Sequence, residues 1–551
     1  MSFSNLSTMH RATAARFGSR VALRSRENGL FRDLSWTAYR RQADRAACAL
    51  IALGVEPGDR IGILSENRYE WLVADIAVLS TGAADVPLHA PLSADQVAYQ
   101  LGHSGARGVI VSGQAQADKV LASLDNLPEL EFLVSFDAIE VGDRIPHVTW
   151  DRLTHERIVD SHILNERAGQ LGRDSLATII YTSGTTGNPK GVMLSHGNLL
   201  SNAEGMLAVM PSPSSETFLS WLPYSHIYAR TVDHYLSTLA GMTICLSASI
   251  EDIVGDLDAT QPHWFTAVPR FYEQIWTSVE HLAADAQARE IGRIFGSRMR
   301  HLTSGGAPLP RHVCQGFHDA GLPIHEGYGL TESSPVICFN HERAHRIGTV
   351  GQAIPEVEVR IAEDGEILTR GPHVMQGYWK NPETTAETIV DGWLLTGDVG
   401  QLDNDGFLTI TDRKKDLLIT SVGKNIAPSV IERLLVSDPW IDQAVLYGDG
   451  RKFVSALIVP NFDKLAETAA ELGCPLDKEP DFVTDEGLTT FYTERIESVM
   501  QAVSNPERVK RFLLLARPFR VEDDELTATL KVRRRHIIAK YEEQLAALYD
   551  R

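Results

Sequence analysis

The chain has 551 residues, too many for a single hydrophobic core, so two or more domains are expected. Hydrophobic residues make up 43% of the sequence, a proportion typical of a globular protein. The formal net charge of −20 argues against nucleic acid or an anionic membrane surface as the main partner, although residues 531–535 (KVRRR) form a local basic run.

The cysteines and the apolar runs indicate the cellular compartment of the protein. Five cysteines are scattered along the chain, and none forms a CxxC pair. This pattern indicates a reducing compartment, without structural disulfides or a thiolate zinc site. The N-terminal stretch lacks the apolar core of a secretory signal, and no window reaches the roughly 18 apolar residues of a membrane span. The sequence therefore predicts a cytoplasmic protein.

The first 340 or so residues alternate helical and strand patterns. Residues 35–55 carry apolar side chains at helical spacing after a serine, and Gly54 is placed to end that helix. Short apolar runs typical of buried strands lie between such patterns, at 60–64, 108–113, 177–181, 242–247 and 263–269. The alternation predicts layered α/β subdomains with largely parallel sheets.

From about residue 350 the pattern changes to strands of alternating polarity. Two pairs of these strands meet at Asp364-Gly365 and at Asp405-Gly406, which predicts antiparallel hairpins.

A smaller α+β module is expected after these hairpins. Its predicted elements are a helix near 428–436, strands at 444–448 and 453–460, and a final helix near 533–549. We therefore expect an N-terminal domain over 1–412, a hinge at 413–416 and a C-terminal domain over 417–551.

Residues 181–191 read YTSGTTGNPKG and directly follow the apolar run LATII. Glycines let backbone N–H groups approach phosphate oxygens, hydroxyls add donors and the lysine adds charge, so the composition is typical of a phosphate-binding loop. A flexible surface loop is the plainer interpretation. A Walker P-loop is disfavoured, because Gly184, Gly187 and Lys190 have the wrong spacing and Gly191 stands where that motif has a hydroxyl.

Five further segments follow in order: SGGAPL (304–309), HEGYGLTES (325–333), WLLTGDVG (393–400), TDRKKDLLITSVGKNIAP (411–428) and ELTATLKVRRR (525–535). Taken singly, each is more typical of a turn, a solvated charged surface or an exposed lysine. In this order, and together with the loop, they resemble the motifs of the acyl-adenylate-forming (AMP-binding) superfamily over nearly the whole chain. MQGYWKNPETTAE and VPLHAPLSADQVAYQLGHSGA add a similarity to its long-chain fatty acid–CoA ligase branch.

The resemblance implies a fold and a reaction. The fold would be a large α/β N-terminal domain that includes a β-barrel-like subdomain, with a small, mobile α+β C-terminal domain. The reaction would be an ATP-dependent ligation that forms an acyl-adenylate, releases pyrophosphate and passes the acyl group to coenzyme A. Fatty acid, ATP, coenzyme A and Mg²⁺ are the expected ligands, whereas nucleic acid is not. Peripheral membrane contact, and a monomer or a homodimer, are left open.

The resemblance also implies site residues by their places in the matching motifs. The phosphate-binding residues would be Thr182, Ser183, Gly184, Thr185, Thr186 and Lys190. The adenosine-binding residues would be Gly305, Gly306, Ala307, Tyr328, Gly329, Asp398 and Arg413. The catalytic residues would be His226 (in WLPYSHIYA, beside the carboxylate), Thr331, Glu332 and Lys531, with Thr185 and Glu332 at the metal. Coenzyme A would meet Gly423 and Lys424, and Lys415 or Asp416 would be the hinge.

Two positions depart from the family pattern. Leu530 stands where shorter-chain and aryl members have a glycine before the catalytic lysine, which favours a long-chain acid. Val422 replaces the first glycine of the usual GGKN, and its effect on the thioester-forming loop is left open. A carrier-protein thiol as acceptor and a different carboxylic acid as substrate are the alternatives.

Overall fold

A computed structural model describes residues 3–27, 29–155, 160–182, 189–247, 249–414, 417–421, 425–466, 482–526 and 532–549. Up to residue 182 the elements are α1 (Leu6–Phe17), β1 (Val21–Glu27), β2 (Leu30–Ser35), α2 (Trp36–Ala52), β3 (Arg60–Leu64), α3 (Tyr69–Thr81), β4 (Ala84–Leu88), α4 (Ala94–Ser104), β5 (Gly108–Val111), α5 (Gln114–Ala122), β6 (Phe132–Ser135), β7 (His147–Thr149), α6 (Trp150–His155), α7 (Ser161–Gln170) and β8 (Leu176–Thr182).

The elements from residue 190 to residue 339 continue the α/β alternation. They are β9 (Lys190–Ser195), α8 (His196–Val209), β10 (Thr217–Ser220), a π-helix (Ala229–Leu236), α9 (Ser237–Ala240), β11 (Thr243–Leu246), α10 (Ile253–Thr260), β12 (Trp264–Ala267), α11 (Pro269–Val279), α12 (Ala284–Phe295), β13 (His301–Ser304), α13 (Arg311–Asp319), β14 (Ile324–Gly329) and β15 (Val336–Phe339).

The remaining elements are mostly strands up to residue 426, with helices returning after it. They are β16 (Gln352–Ala353), β17 (Glu358–Ile361), β18 (Glu366–Arg370), β19 (Gly377–Tyr378), α14 (Pro382–Thr388), β20 (Ile389–Val390), β21 (Trp393–Leu402), β22 (Leu408–Arg413), β23 (Leu418–Ile419), β24 (Asn425–Ile426), α15 (Pro428–Val436), β25 (Ile441–Tyr447), β26 (Val454–Pro460), β27 (Phe482–Val483), α16 (Glu486–Val499), β28 (Val509–Leu515), α17 (Arg534–Lys540) and α18 (Glu542–Ala547).

Helix α2 shows why the local sequence pattern predicted both a helix and its end. The side chain of Ser35 accepts a hydrogen bond from the backbone N–H of Ala38 and so caps the helix start. At the other end Gly54 has φ +92°, a left-handed conformation that glycine adopts without strain. The predicted helix and its stop are confirmed.

Two large sheets form the body of the chain. The nine-stranded sheet has the order β16-β15-β14-β13-β12-β10-β11-β1-β2, and the eight-stranded sheet has the order β19-β9-β8-β4-β3-β5-β6-β7. Pairings within the central strands of both sheets are parallel, and antiparallel pairs occur at the edges. One hydrophobic core, which includes Leu23 and Phe218 from the first sheet and Ile61 and Val192 from the second, joins them. The predicted layered α/β architecture is confirmed.

A third, antiparallel sheet contains the two predicted hairpins. Gly365 (φ +86°) connects β17 to β18, and Gly406 (φ +81°) connects β21 to β22. This subdomain is not closed into a barrel among the described residues: β17 pairs with β18 alone, and β20 and β22 both pair with β21. It is an open five-stranded sheet.

The C-terminal region is the expected α+β module, built on the sheet β25-β26-β28-β27. Helices α15 and α16 cover one face of this sheet, and α17 and α18 cover the other. The single final helix that the sequence predicts is two helices, because Tyr541 leaves the helical conformation (φ −110°, ψ 20°). Its buried hydroxyl accepts a hydrogen bond from Arg517 Nη2 at 2.8 Å. None of the helices in the described ranges has the length and apolar character needed to cross a bilayer.

Candidate active site

Two of the motif segments lie where strands of one sheet end. Strands β13 and β14 are parallel neighbours, with Ser304 opposite Glu326, so the segments that follow them emerge at one edge of the nine-stranded sheet. Loops at the carboxyl ends of parallel strands are the usual ligand-binding edge of an α/β sheet. The sequence segments SGGAPL and HEGYGLTES are therefore brought together by the fold.

The phosphate-loop segment connects two antiparallel strands. Thr182 at the end of β8 is paired in register with Lys190 at the start of β9. A Walker P-loop leads from a strand into a helix, so this topology excludes that alternative for the segment. The loop residues Ser183, Gly184, Thr185 and Thr186 lie outside the described residues.

Gly305 packs against an aromatic side chain of the WLPYSHIYA segment. A Cβ atom at Gly305 would lie 3.0 Å from the ring of Tyr228, closer than a side chain normally tolerates. The next residue, Gly306, is exposed and has φ +83°, and Ala307 is also exposed. The backbone of 305–307 is thus open on one side and supported by Tyr228 on the other.

Tyr328, Asp398 and Arg413 form one hydrogen-bonded group. The Tyr328 hydroxyl donates to Asp398 Oδ2 at 2.7 Å, and Arg413 Nε lies 2.9 Å from Asp398 Oδ1. Asp398 is opposite Arg413 in the β21–β22 pairing. Burial, and then the Asp398 carboxylate, raise the pKa of Tyr328 well above its ordinary value, so the phenol stays protonated and donating. Three residues predicted at the adenosine are therefore in direct contact.

Glu332 and Lys190 meet through a residue that the sequence analysis did not assign to the site. The Tyr378 hydroxyl donates to Glu332 Oε1 at 2.9 Å, and Lys190 Nζ lies 5.1 Å from the centre of the Tyr378 ring. Burial, and then the Glu332 carboxylate, raise the pKa of Tyr378. Tyr378 reaches this place because β19 pairs with β9, where Tyr378 is opposite Val192. The only sequence signal was its position within MQGYWKNPETTAE.

Thr331 and Glu332 follow β14 in a short 3₁₀ turn. Thr331 is buried and Glu332 is half-buried. No group of three or more histidine, cysteine or acidic residues suited to a metal is found in the described ranges. A half-buried carboxylate such as that of Glu332 fits Mg²⁺, which proteins usually hold with one or two carboxylates and the phosphates of the substrate.

The segment that carries His226 is clamped by two further residues that the sequence analysis missed. Asn67 Nδ2 donates to the carbonyl oxygens of Leu222 (2.7 Å) and Trp221 (3.1 Å), and its Oδ1 accepts from the N–H of Tyr224 at 3.0 Å. His89 Nδ1 lies 3.0 Å from the hydroxyl of Ser225. Both residues come just after a strand of the eight-stranded sheet, and that position was the available signal.

His226 itself is exposed at the start of the π-helical region. Its Nδ1 accepts a hydrogen bond from the N–H of Tyr228 at 3.2 Å, which fixes the ring against the backbone. π-Helices are rare and occur often at functional sites.

The C-terminal region makes polar contacts with the body. Asp412 accepts hydrogen bonds from the hydroxyl of Ser429 at 2.6 Å and from its N–H at 3.0 Å. Arg270 on α11 lies 3.2 Å from Asp442 at the start of β25. The predicted residues Lys415, Asp416, Gly423, Lys424 and Lys531, with the departures Val422 and Leu530, lie outside the described residues.

Comparison with known proteins gives the family. The model of the AMP-binding enzyme family matches residues 10–379, and that of the AMP-binding enzyme C-terminal domain matches residues 415–551. The chain belongs to the AMP-binding enzyme family, as the sequence motifs predicted.

Three similar proteins illustrate the range of acids and acceptors named for the relatives of this chain. The long-chain-fatty-acid–CoA ligase FadD15 of Mycobacterium bovis is 33% identical, over 95% of this chain and 93% of its own length. The chloroplastic long-chain-fatty-acid–[acyl-carrier-protein] ligase AEE15 of Arabidopsis thaliana is 26% identical, over 98% of this chain and 86% of its own. The crystal structure of the anthranilate CoA ligase AuaEII with anthranoyl-AMP shares the fold, with a TM-score of 0.82, 20% identity and coverage of 99% of both chains.

Proposed function

We propose that the protein is an AMP-forming ligase that activates a fatty acid, most favourably a long-chain one, and transfers the acyl group to coenzyme A. The observation that carries the proposal is the convergence of remote motif segments: Asp398 with Tyr328 and Arg413 on one side, and Glu332 with Tyr378 on the other. Family membership and the similarity to FadD15 over 95% of the chain support the same conclusion.

The first step joins two anions. A carboxylate oxygen of the acid attacks the α-phosphorus of ATP, an O–P bond forms, and the bond to pyrophosphate breaks. Positive charge is needed where negative charge accumulates. We assign Lys190, with Thr182, Ser183, Gly184, Thr185 and Thr186, to the departing phosphates, Thr331 to the α-phosphate, and His226 and Lys531 to the acid carboxylate. Mg²⁺, held by Glu332 and Thr185, would neutralise charge on the phosphate oxygens.

The nucleoside end is assigned to the Asp398 group. The Asp398 carboxylate can accept hydrogen bonds from the vicinal ribose hydroxyls, and Arg413 adds a donor beside them. The backbone of Gly305 and of the exposed Gly306 and Ala307 would lie along the purine, with the ring of Tyr328 and Gly329 next to it. The Tyr328–Asp398 hydrogen bond would hold the carboxylate in place while the nucleotide binds.

In the second step the thiol of coenzyme A attacks the acyl carbon, and AMP leaves. We propose that the C-terminal domain (417–551) rotates against the N-terminal domain (1–412) about 413–416 between the steps, so that Lys531 moves away and Gly423 and Lys424 approach the thiol. The contacts that Asp412 and Arg270 make with the C-terminal region are ones that such a rotation would break and remake.

The acceptor has one specific alternative, a carrier-protein thiol, which the similarity to AEE15 over 98% of the chain favours. The chemistry of both transfers is the same, so the adenylation residues do not separate them. A cytoplasmic location is proposed on the cysteines, since the four described ones are free and buried.

The test combines two substrate series. The purified protein is given ATP, Mg²⁺ and acids from C2 to C18, with either coenzyme A or a phosphopantetheine-loaded carrier protein, and thioesters are detected by mass. Acyl-CoA from long acids is the expected product. If only the carrier protein is loaded, coenzyme A is not the acceptor. If only short or aromatic acids react, the substrate is not a long-chain fatty acid.

A further inference from the structure

We propose that Arg230 is a positioning residue for the adenylation step: it ties the strand that leads into the phosphate loop to the π-helix that follows the acid-side segment. The inference rests on the proposed function. It arises from a fully buried charged cluster that none of the assigned roles uses, formed by Arg230 with Asp75, Asp85, Thr178 and Tyr235.

Each nitrogen of the Arg230 guanidinium has a hydrogen-bond partner, one on the same π-helix and the others on α3, β4 and β8. Nη1 donates to Thr178 Oγ1 on β8 at 2.8 Å, and Nε donates to the Tyr235 hydroxyl on the π-helix at 2.8 Å. Nη2 donates to Asp75 Oδ1 on α3 at 2.5 Å and also to Asp85 on β4. The side chains of Arg230 and both aspartates are 0% exposed. One guanidinium therefore fixes two strands and two helices relative to one another.

The hydrogen-bond directions define the protonation of the cluster. Tyr39 donates its hydroxyl proton to the carbonyl oxygen of Leu72 at 3.0 Å, so His234 Nε2, 2.9 Å from the same hydroxyl, must donate to Tyr39. His234 Nδ1 is then an acceptor, and it faces Asp75 Oδ2 at 3.4 Å. A protonated Asp75 meets that acceptor, and burial together with the Asp85 carboxylate raises the pKa of Asp75 well above its ordinary value, against the opposing effect of Arg230. Asp85 accepts a hydrogen bond from the same Arg230 Nη2 and so brings β4 into the cluster.

The cluster connects the strand before the phosphate loop with the segments assigned to the acid and to Mg²⁺. Thr178 is four residues before Thr182, on the same strand, at the edge of the phosphate loop. The N–H of Arg230 donates to the carbonyl oxygen of His226 at 3.2 Å. The next residue, Thr231, donates its hydroxyl to the carbonyl oxygen of Ser334 at 3.1 Å, in the turn that follows Glu332. Arg230 therefore bonds through its side chain to the strand before the phosphate loop. Through its backbone and its neighbour Thr231 it bonds to His226 and to the turn after Glu332.

Positioning, rather than stability, accounts for such a cluster. A buried ion pair is often no more stabilising than apolar residues of the same volume, because both charges lose their hydration. The adenylation step, however, requires the carboxylate and the α-phosphorus in line, and small displacements of bound groups reduce rates strongly. The thioester step does not use the terminal phosphates. Loosening the cluster is therefore expected to harm adenylation selectively.

Thr178→Val removes only the hydroxyl that β8 offers to Arg230. We expect pyrophosphate release from ATP and fatty acid to fall about tenfold, while thioester formation from supplied acyl-AMP stays within about twofold of the wild type. Thr178→Ser keeps the hydroxyl and should restore most of the adenylation rate. Thr243→Val is the matched control: a half-buried strand threonine whose hydroxyl donates to the carbonyl oxygen of Val21 at 2.8 Å. Melting temperatures check that each variant folds.

The outcomes separate this inference from the proposed function. Equal loss of both half-reactions in Thr178→Val, or no loss in either, overturns the positioning role while the wild type still forms acyl-AMP. A wild type that forms no acyl-AMP overturns the proposed function and this inference with it. As a second measurement, Asp85→Asn should lower adenylation more than thioester formation, because it changes the β4 carboxylate to which Arg230 Nη2 donates. Equal loss of both half-reactions in Asp85→Asn contradicts the proposal.

Discussion

Tyr378→Phe isolates the hydrogen bond between Tyr378 and Glu332. The hydroxyl donates to Glu332 Oε1 at 2.9 Å, while the ring faces Lys190 Nζ at 5.1 Å. Phenylalanine keeps the ring and its contact with Lys190 but leaves the carboxylate without this donor. A hydrogen bond to a charged group contributes about 1.5–3 kcal/mol, and the lower figure applies because Glu332 is only half-buried. About 1.5 kcal/mol corresponds to about a tenfold change in an equilibrium constant.

The expected consequence is weaker Mg²⁺ binding, since a metal ligand that loses its orienting partner typically costs about 10–100-fold in affinity. Pyrophosphate release is measured against free Mg²⁺ at saturating ATP and acid. Half-saturation should move to about tenfold higher Mg²⁺ with little change in the maximal rate. Tyr492→Phe is the control, because its hydroxyl donates to the carbonyl oxygen of Trp440 at 3.0 Å within the C-terminal domain. An unchanged Mg²⁺ dependence in Tyr378→Phe, or the same shift in Tyr492→Phe, would refute this reasoning.

Three further predictions concern other parts of the site. Lys531→Ala should abolish most adenylation but spare thioester formation from supplied acyl-AMP, and equal loss of both steps speaks against its assigned role. Asn67→Ala releases three hydrogen bonds to the segment before His226, so the KM for the acid should rise more than that for ATP in steady-state assays; parallel rises count against the clamp. Burial raises the pKa of Glu326 from 4.5 to about 7, so the folded state binds the extra proton and this group's contribution to stability is lost as pH rises from about 4.5 through 7. Between pH 4 and 8 the melting temperature of the wild type should fall relative to that of Glu326→Gln; parallel curves exclude it.

Local sequence patterns predicted most of the elements and the motif segments in which the proposed nucleotide-binding residues lie. The helix that ends at Gly54 and the hairpins at Gly365 and Gly406 depend on turn chemistry within a few residues, so they are readable from the chain. Asp398 and Arg413 could be paired from the motifs because they lie on adjacent strands of one hairpin.

The residues that were missed depend on contacts between distant parts of the sequence. Tyr378 reaches Glu332 only because β19 joins the edge of the eight-stranded sheet beside β9. Asn67 reaches the segment before His226 from the end of another strand of that sheet. No local pattern encodes either pairing.

The sequence did not predict the Arg230 cluster, for a different reason. Sequence reasoning places arginine and aspartate at the surface, because isolated buried charges are costly. Asp75 lies in the middle of an almost wholly buried helix, and Arg230 in a π-helix whose residues are all buried. Only the three-dimensional arrangement shows that these charges compensate each other. Tyr541, where the final helix breaks, likewise bonds to Arg517, which lies outside that helix.

The central claim is that a carboxylate oxygen captures the α-phosphorus of ATP. It is tested most directly with a fatty acid whose carboxyl carries ¹⁸O, incubated with ATP, Mg²⁺, coenzyme A and the protein. We expect AMP as the nucleotide product, with one ¹⁸O atom from the acid in its phosphate. ADP as the product, or label in inorganic phosphate rather than in AMP, would contradict it.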